Sequence, residues 1–174
     1  VGYAVTATFR ADSPSTRADS YNRLADQLEQ FAEVPGPKVV VFQDLDDPPV
    51  AAVFGEVMCS TYQAFGAVGL ITSGGGRDLE QVQELRFPVF TGSTIVSHAY
   101  SQIVHLAEPV RVGGLMVYEG DLMHGDVNGV TNIPAEIAAE VADISEAFVA
   151  AEAIVMDYVK GPGEKNVEEY RARQ

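Results

Sequence analysis

The chain has 174 residues, 47% of them hydrophobic, with 25 Asp plus Glu against 11 Lys plus Arg and a formal net charge of −14. That length and apolar content predict one domain with a sizeable core. Such a field repels phosphate backbones and anionic membrane surfaces, the few cations do not cluster, and no apolar run approaches the length of a membrane span, so neither nucleic acid nor a membrane is an expected partner.

In chain order, Val1 to Phe9 reads as a strand, and Ser15 to Phe31 as a helix with Leu24, Leu28 and Phe31 at helical spacing. Beginning at Val1, directly in strand-like sequence and without a methionine, the chain is expected to have lost residues upstream. Pro35-Gly36-Pro37 closes the first unit, and Lys38 to Gln43 is a Val-rich buried strand running into the acidic loop Asp44 to Pro49. A helix is predicted from Gly55-Glu56 to Phe65, then a buried strand over Ala67 to Ile71 and a short helix over Asp78 to Leu85, with Leu79, Val82 and Leu85 on one face. Short strand-like segments follow: Pro88 to Phe90, Ile103 to Leu106, Val110 to Val112, Leu115 to Val117 and Leu122 to His124, punctuated by Gly-Gly, Glu-Gly and Asn-Gly. A long amphipathic helix begins at Pro134, with Ile137, Val141, Ile144, Phe148, Ala151 and Val155 on one stripe. Gly161-Pro162-Gly163 ends it, and Glu164 to Gln174 reads as a charged tail. The expected architecture is mixed α/β: a βαβαβ half, a β-rich half and a closing helix.

The single cysteine, Cys59, excludes an internal disulfide and a Cys-based zinc cluster and fits a reducing, cytoplasmic compartment. Within a helix-like run of small and apolar residues, it reads as a buried structural thiol. His98, His105 and His124 read as satisfied or exposed histidines rather than metal ligands, with His98 and Tyr100 as candidates to line a pocket. Lys38, Lys160 and Lys165 lie in boundary or tail contexts, which argues against Schiff-base chemistry.

The densest chemistry lies in Ser73-Gly74-Gly75-Gly76-Arg77-Asp78, where a glycine run delivers a guanidinium and a carboxylate side by side between a strand and a helix. Two readings stand. One is a site for a metal-bound anion near helix N-termini; the other is a tight turn with Asp78 as N-cap and Arg77 solvated.

Four motifs resemble a known family: Gly55-Glu56-Val57-Met58, Gly74 to Asp78, Phe87-Pro88-Val89-Phe90, and Gly120-Asp121 with Gly125-Asp126-Val127-Asn128-Gly129-Val130. In order and spacing the chain resembles, over roughly residues 1 to 135, the family of regulator of ribonuclease activity A and the 4-hydroxy-4-methyl-2-oxoglutarate aldolases, long mislabelled as dimethylmenaquinone methyltransferases. The resemblance implies an α/β/β swivelling-type domain over 1–135, followed by a C-terminal helix and charged tail over 136–174, assembled as a homotrimer or a pair of trimers. It also implies a class II lyase that uses a divalent metal, magnesium most often and manganese as a substitute. Such a lyase cleaves 4-hydroxy-2-oxo acids to pyruvate and decarboxylates oxaloacetate.

By the same resemblance Asp78 ligates the metal, Arg77 holds substrate oxygen and stabilises the pyruvate enolate, and Glu56 orders metal-bound water. The backbone N–H groups of Val57 and Met58, after Gly55, cradle the substrate carboxylate. Ser73 stands where many members carry an acidic residue. Asp121 and Asp126 match the family but read as turn residues, since an Asn-Gly pair with a nearby Asp suits a tight hairpin. Magnesium's preference for oxygen ligands, few carboxylates and several retained waters agrees with Asp78 directly and Glu56 through water. The resemblance leaves two further functions open: a non-catalytic regulator that binds an RNA-degradation enzyme through its acidic surface, and a scaffold-like trimer with a vestigial site.

Overall fold

The structure, a computed structural model, describes residues 1–15 and 23–174. It divides into two compact units, Val1–Ile133 and Pro134–Gln174.

In chain order the first unit contains β1 (Gly2–Arg10), α1 (Arg23–Gln30), β2 (Lys38–Asp44), β3 (Ala52–Phe54), α2 (Glu56–Ala64), β4 (Ala67–Thr72), β5 (Gly75–Gly76), α3 (Leu79–Glu84), β6 (Val89–Phe90), β7 (Ser93–Thr94), β8 (Gln102–Leu106), β9 (Val110–Val112), β10 (Leu115–Val117), β11 (Leu122–Asp126) and β12 (Gly129–Ile133). A seven-stranded sheet runs β12-β11-β1-β2-β4-β6, with β8 also paired to β1. β1, β2, β4 and β6 are parallel neighbours, while β8 and β11 run antiparallel to β1.

Side-chain alternation along the central strands sorts them between two cores. Val5, Ala7 and Phe9 of β1, Val40 and Phe42 of β2 and Leu70 of β4 share one core with Cys59 and Tyr62 of α2 and Val82 of α3. Ala4, Val39, Val41 and Ile71 face the other, closed by Val110, Val112 and Val117 of the β9–β10 ribbon. Helices cover one face of the sheet and a β-ribbon the other, which is the expected α/β/β layering. With both faces covered, β2 reads as a nearly unbroken Val-rich run. Between layers, Phe31 stacks on Tyr62 with ring centroids 6.0 Å apart, and the buried Tyr62 hydroxyl donates to Gln27 Oε1 at 2.6 Å. Burial drives the Tyr62 pKa well up.

Several local expectations change. The helix expected over Ser15 to Phe31 is found from Arg23 to Gln30; Ser15 is not helical, Phe31 lies in the following turn, and 16–22 fall outside the described residues. In α3, Val82 is 1% exposed but Leu79, in its first turn, is 38% exposed. Three short strands, β3, β5 and β7, form a separate parallel sheet that alternation does not announce. Pairing with neighbours distant in sequence, rather than propensity, makes them strands.

In the second unit, α4 spans Ala138–Lys160, four residues later than Pro134, with Ile137 as N-cap and Gly161 as C-cap. None of its residues is buried, the apolar stripe included. The charged tail contains a further helix, α5 (Val167–Arg171), whose N-cap Asn166 accepts from Glu169 N at 2.8 Å. Among the described residues no helix is long and apolar enough to cross a membrane.

Candidate active site

The glycine run builds structure. Gly75 and Gly76 form β5, wedged between β3 and β7. A Cβ on Gly75 would stand 2.9 Å from the Ile95 side chain, and one on Gly76 would run into the Phe54 ring, so only glycine lets these backbones approach. The pairing continues one residue further, with Arg77 N donating to Phe54 O at 3.2 Å. This fixes Arg77 and Asp78 beside the chain that leads from β3 into α2.

Asp78 adopts a left-handed backbone, φ 54°, which Asp tolerates better than most residues and which occurs at strained functional positions. It occupies the N-cap position of α3 without capping it. Its Oδ2 instead accepts from the backbone N–H of Glu56 at 3.1 Å, at the start of α2, and lies 3.7 Å from Arg77 Nε. The Arg77 and Asp78 side chains are 35% and 40% exposed, reachable yet partly desolvated. Gly55 makes the cap possible, since a Cβ there would fall 2.5 Å from Asp78 Oδ2. Burial first, and the Asp78 carboxylate second, push the Cys59 thiol up to about 12, so this thiol is inert, as expected.

These groups border a cavity of about 370 Å³ whose lining includes Gly55, Val57, Met58, Arg77, Asp78 and His98. Five of the six residues to which the family resemblance gives a role therefore lie on one cavity. The sixth, Glu56, is exposed and enters through its backbone N–H, between two lining residues. Cys59 N bonds to Gly55 O, which leaves the first-turn N–H groups of Val57 and Met58 without intrahelical acceptors. His98 reaches the cavity because the segment carrying it is pinned at both ends: Ala52 N donates to Ser97 O and Tyr100 N to Ala11 O. Tyr100 is 56% exposed and does not line it.

The remaining candidates separate from this site. Asp126 Oδ1 accepts from Asn128 N at 2.8 Å inside the β11–β12 hairpin, and these bonds hold its carboxyl below the usual range. Asp121 Oδ2 accepts from Tyr118 N. His105 Nδ1 lies 3.1 Å from Thr8 Oγ1, and His124 Nε2 lies 4.0 Å from Asp126 Oδ2. Ser73 Oγ accepts from Asp44 N. Sequence reasoning missed the apolar wall of the cavity and the polar residues beside His98, Ser101 and Gln102. The strand-like run around Ile103 was its only signal.

Among the described residues no three His, Cys, Asp or Glu side chains converge as a metal-ligand cluster. One carboxylate on a cavity suits a hard cation that keeps most of its waters, as magnesium and manganese do, better than a closed zinc site. The cap on α2 uses Asp78 Oδ2 and leaves Oδ1 outside that contact.

Residues 1–131 match the RraA-like family (Aldolase/RraA). The chain is 30% identical over 116 residues to a protein of Halalkalibacterium halodurans provisionally named a 4-hydroxy-4-methyl-2-oxoglutarate aldolase, a match that takes in 66% of this chain and 54% of that one. The chain thus spans about half the length of that relative. Among solved structures it is similar to Streptomyces coelicolor RraAS2, described as an unusual member of the RNase ES inhibitor RraA protein family, at 26% identity and TM-score 0.68 over 87% of this chain and 74% of that one. An uncharacterized protein of Pseudomonas syringae shares the fold at TM-score 0.73 and 23% identity, over 99% of this chain and 75% of that one.

Proposed function

The chain belongs to the RraA-like family, which takes in both aldolases and RraA proteins, and on that premise we propose that the Arg77–Asp78 cavity is the active site of a divalent-metal-dependent lyase acting on 2-oxo acids. One observation carries the reading: Arg77, Asp78 and the first-turn residues Val57 and Met58 of α2 line the same cavity. Asp78 would hold the metal, with Glu56 acting through water. When bound, the cation supplies Lewis acidity that draws electron density from the substrate carbonyl.

The chain's own groups account for the rest. The N–H groups of Val57 and Met58, with the positive end of α2 behind them, bind the substrate carboxylate. Arg77 faces the oxygen at C2, where negative charge builds as the C3–C4 bond breaks and its electron pair moves toward the pyruvate enolate. The 4-hydroxyl gives its proton to a water ordered by Glu56, and the C4 fragment leaves as a carbonyl compound. Protonation at C3 completes pyruvate, with no net redox change. Oxaloacetate follows the same course with carbon dioxide as the leaving fragment. The functional protein in this reading is a homotrimer or hexamer.

A coupled assay for pyruvate tests the proposal. Magnesium with oxaloacetate or a 4-hydroxy-2-oxo acid should yield pyruvate, and EDTA should abolish the yield. No pyruvate with either substrate and either metal sinks it. The formal charge of −14 supports a second reading, a regulator docking on a basic RNA-degradation enzyme. Salt-sensitive binding to such an enzyme by a protein without pyruvate-forming activity would put that reading first.

A further inference from the structure

We propose that the substrate of this cavity carries one carboxylate, at its 2-oxo end, and an alkyl or aryl group at the far end; this rests on the 2-oxo acid reading above. At about 370 Å³ the cavity falls within the range of small organic ligand sites, roughly 300–1,000 Å³, and is roomy for a three-carbon oxo acid. Beyond the polar group its wall is made by Phe9, Leu24, Val53, Met58 and Ile103. Phe9 and Ile103 are register partners across β1 and β8 and are 3% and 8% exposed, so this wall is part of the packed core. It is contributed by β1, α1, β3, α2 and β8 together, which fixes its character more firmly than a loop would.

Charge decides against a second carboxylate. Among the described residues of the lining, Arg77 is the one permanent cation, and in the proposed reading it and the metal on Asp78 are both committed to the 2-oxo end of the substrate. His98 adds a charge only when protonated. Ser101 and Gln102 are neutral, and Gln102 Nε2 already donates to Ser13 O at 3.1 Å. A distal carboxylate pressed against Phe9, Leu24 and Ile103 would lose its water with no permanent cation among the described lining residues left to replace it, inside a strongly acidic protein. An alkyl or aryl group there instead gains by leaving water. The products are pyruvate and an apolar aldehyde: the C3–C4 electron pair stays with the pyruvate fragment, the 4-hydroxyl proton leaves, and no oxidant or reductant is consumed.

The test compares kcat/KM for pyruvate release with magnesium from 4-hydroxy-2-oxo-4-phenylbutanoate and from 4-hydroxy-2-oxoglutarate, with oxaloacetate as a third substrate. The phenyl compound should exceed the hydroxyoxoglutarate by tenfold or more. Equal or better turnover of the hydroxyoxoglutarate overturns the inference and leaves the lyase reading standing. Pyruvate from none of the three overturns the lyase reading and the inference with it. Gln102→Arg places a second cation beside Ile103 and should raise kcat/KM for the hydroxyoxoglutarate at least tenfold. A folded Gln102→Arg protein with unchanged preference counts against the charge argument.

Discussion

Asp78 Oδ2 accepts a 3.1 Å hydrogen bond from the backbone nitrogen of Glu56, so the carboxylate that opens α3 caps α2 instead, 22 positions earlier in the chain. One oxygen secures the helix whose N-terminus faces the cavity, and the same carboxylate is the proposed metal ligand. Scaffold and chemistry thus meet in one side chain, and substitutions can separate them.

Asp78→Asn keeps an oxygen able to accept from Glu56 N while removing the charge. Its melting temperature should stay near that of the parent, whereas the magnesium concentration for half-maximal pyruvate formation should rise at least tenfold. Asp78→Ala loses the cap as well, at a cost of about 1 kcal/mol in denaturant unfolding. Arg77→Ala should lower kcat about 10²-fold with no recovery at high magnesium. An Arg77→Ala protein at full activity would remove the oxyanion role.

Gly55 is a position where one added methyl decides the outcome. Its Cβ would stand 2.5 Å from Asp78 Oδ2 and 3.1 Å from Arg77 Nε, so Gly55→Ala must push both side chains aside. Folding should survive, because the clash meets side-chain ends and α2 keeps its burial of Cys59 and Tyr62. Turnover should fall at least as far as in Arg77→Ala, with the circular dichroism spectrum preserved. Full activity of Gly55→Ala would show that the cap geometry is irrelevant to the site.

The long elements were legible because their signals are local: the Val-rich run of β2, the apolar run of β4 and the helical spacing of Ile137 to Val155 in α4 need no knowledge of partners. Arg77 and Asp78 stood out through the glycines before them, yet the reason for those glycines, contact with Phe54 and Ile95, depends on two other strands. The Asp78 cap on α2 and the Phe9–Ile103 wall were illegible for the same reason, being contacts between segments far apart in sequence. Glu119 is the plainest case. Its carboxylate accepts from Thr6 N, Thr6 Oγ1 and Gln30 Nε2 at 2.6, 2.8 and 2.6 Å, tying the loop after β10 to β1 and α1. In the sequence it was one acid among 25 Asp and Glu.

Assembly has its own test in α4. Ile137, Val141, Ile144, Phe148, Ala151 and Val155 recur at alternating four- and three-residue steps, the seam spacing of a helix that packs on another helix, and Ile144 and Phe148 are 58% and 67% exposed. Light scattering at micromolar concentration should give a trimer or hexamer, and Phe148→Asp should reduce the mass. A wild-type monomer would remove the proposed assembly.

Asp44 sets a pH dependence of stability. It is 9% exposed, its Oδ1 accepts from Asp46 N at 3.0 Å, and its Oδ2 is buried with no hydrogen-bond partner. Its pKa is pushed up from 3.8 to about 6, by burial above all, with the bond from Asp46 N opposing the rise and the Asp46 carboxylate adding to it. Asp46 is itself 3.9 Å from Arg10 Nε, and Ser73 Oγ lies against the Asp44 backbone. Because the folded-state pKa is above the unfolded one, folding favours the protonated form. The contribution is therefore complete below about pH 4 and is lost as pH rises through about 6. The shift corresponds to at most about 3 kcal/mol. Asp44→Asn imitates the protonated side chain at every pH, so urea unfolding should show it more stable than the parent at pH 8, with the difference shrinking toward pH 4. A stability difference that is the same at pH 4 and pH 8 would refute the assignment.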